Sequence, residues 1–260
     1  ETCALPIYLM WLKRAVVGDF GVSIATGRPV AGALVRAVPN TLMLAVGASL
    51  LGFILGAIFG GVAGYYQGTW IDKFATGIAI TGISVPHYWL GIVLVIIFSV
   101  EMDSLPEMGM GPGGSSAWAW DIAYMRHLVL PVITLSVIPM GIITRTTRAS
   151  VSEILNQEFV QTLHAKGLWN KQVLVHVIKN AAPTVLAVMG LQLGYLLGGS
   201  ILIETVFSWP GTGFLLNDAI FRRDIPLLQG TILVLALFFV FLNLIVDISQ
   251  AIIDPRMGRG

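Results

Sequence analysis

Charge is scarce in this chain. Only 11% of its 260 residues are Asp, Glu, Lys or Arg, against 56% apolar residues and a mean hydropathy of +0.83. A water-facing globular surface takes about 25% charged residues, so a soluble domain is excluded and membrane is the default class. The formal net charge of +1 lacks the basic excess that nucleic-acid binding demands. Cysteine is nearly absent: Cys3 stands alone, which excludes an intrachain disulfide and a cysteine-based metal site. Catalytic signatures are missing too. There is no GxxxxGK[ST] loop to cradle phosphates, no HExxH and no GxSxG. His87, His127, His164 and His176 are far apart, without metal-ligand spacing. No bound cofactor, metal or catalytic role is expected of this chain. Its first residues, ETCALPIYLMWLKR, put basic residues after apolar ones, the reverse of a signal peptide.

What the chain has instead is long uncharged stretches. They hold 35 residues between Arg36 and Asp72, 27 between Lys73 and Glu101, and 18 between Arg126 and Arg145. A further 24 lie between Lys179 and Glu204 and 22 between Asp224 and Asp247. A spanning helix needs about 20 apolar residues. The spacing therefore predicts an all-α integral membrane protein with five transmembrane helices, near 38–66, 74–100, 127–148, 181–203 and 225–247. Residues 1–36 form a leading segment, and 37–260 the transmembrane domain.

Lysine and arginine placement orients the spans. Lys73, Arg145, Arg148, Lys166, Lys171, Lys179, Arg256 and Arg259 fall on one side, which is expected to be cytoplasmic. Arg126, Arg222 and Arg223 fall on the other. Segment 1–36, with Lys13, Arg14, Arg28 and Arg36, is then extracytoplasmic by parity. No Asp, Glu, Lys or Arg lies deep in any predicted span. Ion-coupled carriers usually keep such groups there, so an ion-coupled secondary transporter or channel subunit is the weaker reading.

Glycine recurs every fourth residue at Gly52, Gly56, Gly60 and Gly64, and again at Gly190, Gly194 and Gly198. Such stripes allow close helix approach, either within the chain or against a second membrane subunit. Pro86 and His87 near the middle of the second span mark either a kink, its freed carbonyl served by a polar neighbour, or a position on a solute path.

The polar exception is the 149–180 region. Apolar residues Val151, Ile154, Leu155, Phe159, Thr162 and Leu163 recur at helical spacing in its first part. Gly167 supplies a C-terminal stop, with Lys166 in the last turn where a cation suits the helix dipole. A second helical run over 170–180 leads to Pro183 at the next span's first turn. The result is a helix, a glycine turn and a helix, which either lies on lipid headgroups or docks another protein.

The run QEFVQTLHAKGLWNKQVLVHVIKNAAP (157–183) resembles the cytoplasmic loop of ABC-importer permeases, in particular the B-type inner-membrane subunit of the dipeptide/oligopeptide/nickel family. RTTRAS (145–150), ETVFSWPGTG (204–213), NLIVDISQAIIDPR (243–256), GDFGVSIATGRPV (18–30) and ISVPHYW (83–89) extend the resemblance over most of the chain. Members of that family begin with an additional span ahead of GDFG, which this chain reaches by residue 18. The chain is therefore read as lacking that first span. It also departs from the pattern at Leu163-His164, where arginine-alanine is usual, and at His87, where a small polar residue is usual.

The resemblance implies a type I importer permease fold, and a bacterial or archaeal inner membrane. It implies as partners a homologous second permease, two cytoplasmic ATPase subunits that bind ATP and Mg, an extracytoplasmic solute-binding protein, and membrane lipid. It implies that Glu158, Phe159, Leu163, Ala165, Lys166, Gly167 and Leu168 form a coupling helix seated on an ATPase. Glu204, Phe207, Trp209, Pro210 and Gly211 would lie at the outer gate, facing the binding protein. Pro86 and His87 would mark the translocation pathway or a kink. Family cargoes implied in the same way are dipeptides, oligopeptides, glutathione or nickel.

Overall fold

The structure is a computed structural model that describes residues 4–114 and 118–253. Cys3, Arg256, Arg259 and the last residues of NLIVDISQAIIDPR lie outside the described residues. Among the described residues the chain is helical, with one isolated bridge between Val22 and Pro29 and no named strand. Nine α-helices run in order: α1 (Ala4–Val16), α2 (Val30–Tyr65), α3 (Trp70–Ser84), α4 (His87–Val95), α5 (Ile122–Leu155), α6 (Glu158–Ala165), α7 (Asn170–Val206), α8 (Thr212–Arg222) and α9 (Ile225–Ile253). A π-helical turn, Ile96–Glu101, continues α4.

Among the described residues four helices are long and apolar enough to cross a membrane, and five crossings result if α3 and α4 count as one broken span. Their exposed residues need lipid: on α9 alone Leu237, Phe239, Val240, Phe241 and Leu244 all face outward. Backbone donors and acceptors in hydrocarbon must be satisfied within the helix, which is why the spans are built from helices.

Each predicted span differs from its helix, the last in running on to Ile253 rather than ending at 247. The second span, expected as one piece over 74–100, is broken and bent by 98°. Val85 precedes a proline and adopts the extended conformation (φ −82°, ψ 126°), and Pro86 has no N–H to continue the ladder. The first crossing begins at Val30 rather than 38, so α2 takes up the end of the leading segment and runs through Pro39. The third helix carries RTTRAS and ends at Leu155, seven residues beyond the expected limit. The fourth starts at Asn170 and passes through Pro183 without a break, so Pro183 is interior and not at a helix start. Neighbouring side chains and local adjustments make such prolines tolerable in membrane helices.

Two compact units divide the chain, and the division falls inside α2, α4, α5, α7 and α9. One unit comprises 1–45, 91–131 and 197–240. Its apolar centre joins Val30, Leu34, Ala219 and Leu227, with Phe20 and Leu228 against them. Asp224 fastens segment 18–29 to the start of α9: its carboxylate accepts from Ser23 Oγ, and from the amides of Ile24 (3.2 Å), Ala25 (3.2 Å) and Leu227 (3.3 Å). Burial opposes ionisation of Asp224, but these donated bonds outweigh it and hold the carboxyl below the usual carboxylate range.

The other unit comprises 46–90, 132–196 and 241–260. Here the first glycine stripe is spent inside the chain. A Cβ at Gly52 would lie 2.8 Å from Ser136 O, at Gly56 2.9 Å from Met140 O, at Gly60 2.5 Å from Thr144 O, and at Gly64 2.8 Å from Arg148 O. Glycine therefore lets α2 touch the backbone of α5 over three turns. Of the two readings of this stripe, packing within the chain is the observed one. In the second stripe, a Cβ at Gly198 would meet open space.

Candidate functional site

The polar hairpin is built onto α5 and α7 within the second unit. The apolar residues at helical spacing over 151–163 fall on two helices: α5 ends at Leu155, and α6 begins at Glu158 after a turn at Asn156 and Gln157. Val160 on α6 joins Val151 and Ile154 of α5 and Val173, Val177 and Ala181 of α7 in one apolar cluster. Each such aliphatic side chain contributes about 1.5–3 kcal/mol when fully buried. Phe159, Leu163, Leu168 and Leu155 pack around the same cluster.

The far end of α6 closes as the glycine stop predicts. Gly167 has φ +82°, its N–H donates to His164 O (2.9 Å), and Leu168 N–H donates to Leu163 O (3.2 Å). That pair of bonds is a Schellman termination, and it needs a left-handed residue that only glycine adopts at low cost. Trp169 N–H then donates to Gln172 Oε1 (3.0 Å), opening α7.

Of the seven predicted coupling residues, Glu158, Ala165, Lys166 and Gly167 are exposed, while Phe159, Leu163 and Leu168 are half-buried toward the cluster. The first four form an outward face. The other three pack inward and anchor that face. Trp169, 80% exposed, joins this surface and was not singled out from sequence. Beside the hairpin, α2, α5 and α7 enclose an apolar groove of about 740 Å³, edged by Tyr65, Tyr66 and Lys171.

The second predicted cluster, 204–213, lies within the first unit and is largely interior. Glu204, Phe207, Trp209 and Gly211 are buried and Pro210 is half-buried, so the cluster packs inward. Burial accounts for the apolar Phe207 and Trp209 in this turn. Glu204 Oε2 accepts from the amides of Gly213 (2.7 Å) and Phe214 (3.1 Å), serving the free N–H groups of α8. Trp209 Nε1 donates to Asn40 O (3.0 Å), Asn40 Nδ2 donates to Pro210 O (2.8 Å), and Thr212 N donates to Thr41 Oγ1 (2.8 Å). The turn is locked to α2 by these three bonds.

Pro86 stands in the break after α3, and His87 is the first residue of α4, its ring edge-on to Tyr88 at 6.5 Å. Also in the first unit, a cavity of about 580 Å³ is lined by Asp103, Glu107, Arg126 and His127, a mixed-charge site not foreseen from sequence. Among the described residues no group of three or more His, Cys, Asp or Glu is placed to hold a metal ion.

The contact between Asp72 and Arg148 was not foreseen from sequence, where Asp72 marked the end of an apolar window and Arg148 counted toward orientation. Arg148 Nε and Nη2 bond both carboxylate oxygens of Asp72, the second at 2.8 Å. Asp72 also accepts from Gly68 N (2.9 Å) and Thr76 Oγ1 (3.2 Å).

Repeated apolar crossings with a rigid polar hairpin define a class: multi-pass helical transport subunits. The family description "Binding-protein-dependent transport system inner membrane component" matches residues 52–259. The chain is 38% identical over 248 residues to the glutathione transport system permease protein GsiC of Escherichia coli (strain K12), covering 95% of this chain and 77% of that protein. It is 37% identical over 269 residues to the dipeptide transport system permease protein DppB of Alkalihalophilus pseudofirmus, covering 96% and 80%. The fold is similar to a chain of the MetNI methionine ABC transporter in an inward-facing conformation, with TM-score 0.69 at 16% identity, over 85% of this chain and 96% of that one. This chain belongs to the binding-protein-dependent ABC-importer permease family and is an all-α, multi-pass inner-membrane permease subunit.

Proposed function

We propose that the chain forms part of the translocation pathway of an ATP-driven importer and is driven through its α6 hairpin by cytoplasmic ATPases. The observation that carries this reading is the hairpin's two-sidedness. Its apolar side is fixed to α5 and α7, and Glu158, Ala165, Lys166 and Gly167 are left facing out. A helix so anchored passes a push on its outer face into two membrane helices as a rigid body. Chemistry resides elsewhere: ATP and Mg are bound by the ATPases, and this chain is non-catalytic.

The complete importer comprises this subunit, a homologous second permease, two ATPases and an extracytoplasmic solute-binding protein, in the cytoplasmic membrane of a bacterium or archaeon. Relatives named for glutathione and dipeptide transport support a peptide or peptide-like cargo. The 204–213 turn acts as a rigid support for the outer gate and not as a contact surface. Pro86 and His87 serve as the hinge of the broken second crossing.

The test is co-purification of the tagged protein with its ATPase subunits from detergent-solubilised membranes. Glu158→Lys reverses the charge in the first turn of α6 and should cut recovered ATPase several-fold, while the permease level in the membrane is unchanged. Equal ATPase recovery from both proteins would remove Glu158 from the contact. No ATPase recovered with the parent protein would remove the coupling role of the hairpin.

A further inference from the structure

We infer that the Asp72–Arg148 ion pair is the bond through which α5 carries α3 with it when the hairpin moves. The inference rests on the coupling reading above and adds to it the path of the motion beyond the hairpin.

Arg148 sits on α5 one turn before Val151 and two before Leu155, the residues that grip α6 and the hairpin. Its guanidinium reaches Asp72 in the first turn of α3, and both carboxylate oxygens are engaged. Asp72 is 3% exposed, and its remaining acceptor capacity is taken by Gly68 N and Thr76 Oγ1. The carboxylate is therefore fixed to its own helix as well as to Arg148.

Elsewhere α3 and α5 meet through small residues. A Cβ at Gly141 would lie 2.6 Å from Ala79 O, and one at Gly82 would lie 2.9 Å from Val137 Cγ1. The contacts of Ile83 over Gly141 and of Val137 over Gly82 are apolar and fix no hydrogen-bond direction between the helices. A bidentate guanidinium–carboxylate pair has fixed direction and resists sliding. Its net contribution to stability is small beside apolar packing of the same volume, because both charges must be desolvated. Direction is what it supplies. With the pair in place, α6, the end of α5 and the start of α3 move as one piece, and the first flexible point beyond them on α3 is the break at Val85 and Pro86.

The experiment uses the complex assembled with its ATPase subunits, with Cys3 replaced by serine and spin labels attached through Glu153→Cys on α5 and Ser84→Cys at the end of α3. Both positions are exposed. Pulsed EPR distances are recorded without nucleotide and in the ADP–vanadate state. In the parent the α3–α5 distance should be the same in both states. Asp72→Asn should retain the ATPases and hydrolyse ATP, yet show a distance that shifts or broadens by several ångström on vanadate trapping. Arg148→Lys, which keeps the charge and loses the fork, should show a smaller change of the same kind; it carries the test if the asparagine variant does not assemble. A distance in the variants as narrow and as constant as the parent's overturns the inference, and so does a parent distance that changes on trapping. A parent complex that binds no ATPase is a different failure: it refutes the coupling reading itself.

Discussion

Gly60 and Gly61 are neighbours in α2 with opposite surroundings, and alanine substitutions at the two should separate helix propensity from helix packing. A Cβ at Gly60 would stand 2.5 Å from Thr144 O, 2.6 Å from Thr147 Cβ and 3.1 Å from Arg148 N, where ordinary contact begins at 3.4 Å. Two of those three atoms belong to the backbone of α5, so no rotamer change relieves the clash and the helices must part. At Gly61 a Cβ would meet nothing within 4 Å. Both substitutions gain the same intrinsic helix preference, about 0.8–1 kcal/mol per Gly→Ala. The common gain cancels in the comparison. What remains is the overpacking penalty at Gly60, about 1–3 kcal/mol, or roughly 5- to 150-fold in the unfolding equilibrium. Gly60→Ala should therefore be neutral to destabilising and Gly61→Ala stabilising. Reversible unfolding in bicelles, or steric trapping, measures both. Equal stabilisation by the two alanines would refute the claim that the glycine stripe is a contact surface of α2 with α5.

Gly167→Val forces a β-branched residue into φ +82°, a left-handed conformation costing about 1–3 kcal/mol. Membrane insertion should be normal while ATP hydrolysis is uncoupled from uptake, read as ATP consumed per solute transported by proteoliposomes. Normal uptake at the normal ATP cost would exclude Gly167 from coupling. Trp209→Ala empties a fully buried site and strands Asn40 O, so it should destabilise by about 3–5 kcal/mol, seen as a lower melting temperature in detergent. Asp224 binds its proton less readily in the folded state than in the unfolded one. Its contribution is present above the ordinary carboxylate pKa, about 3.9, and is lost as pH falls through the lowered folded value. Asp224→Asn should abolish that part of the acid sensitivity of unfolding; an unchanged pH profile would show that the carboxylate's bonds contribute nothing.

Charge placement alone located the crossings, because hydrocarbon excludes ionised side chains wherever they occur in the sequence. The glycine at 167 was legible for a local reason: a left-handed turn after a helix is set by a few consecutive residues. Helix limits were less legible. Continuation through Pro183, and the extension of α5 to Leu155, depend on packing among residues of Val151, Val173 and Val177 that are distant in sequence. The same holds for function-bearing side chains. Phe207 and Trp209 read as an exposed apolar loop until the fold buried both and brought Asn40 O to the Trp209 indole. Phe159 and Leu163 could not be sorted from Glu158 and Lys166 until α6 had a face to bury.

Sequence by itself determined that this chain must live in a membrane, that it crosses repeatedly, and that one hydrophilic hairpin interrupts it. These follow from solvation, which acts on each residue separately. Only the tertiary structure decided that Asp72 meets Arg148, that the glycines of α2 touch the backbone of α5, and which side of the hairpin faces out. Those facts arise from pairs of residues far apart in the chain, and a pair acquires its energy only once the fold has brought its two members together.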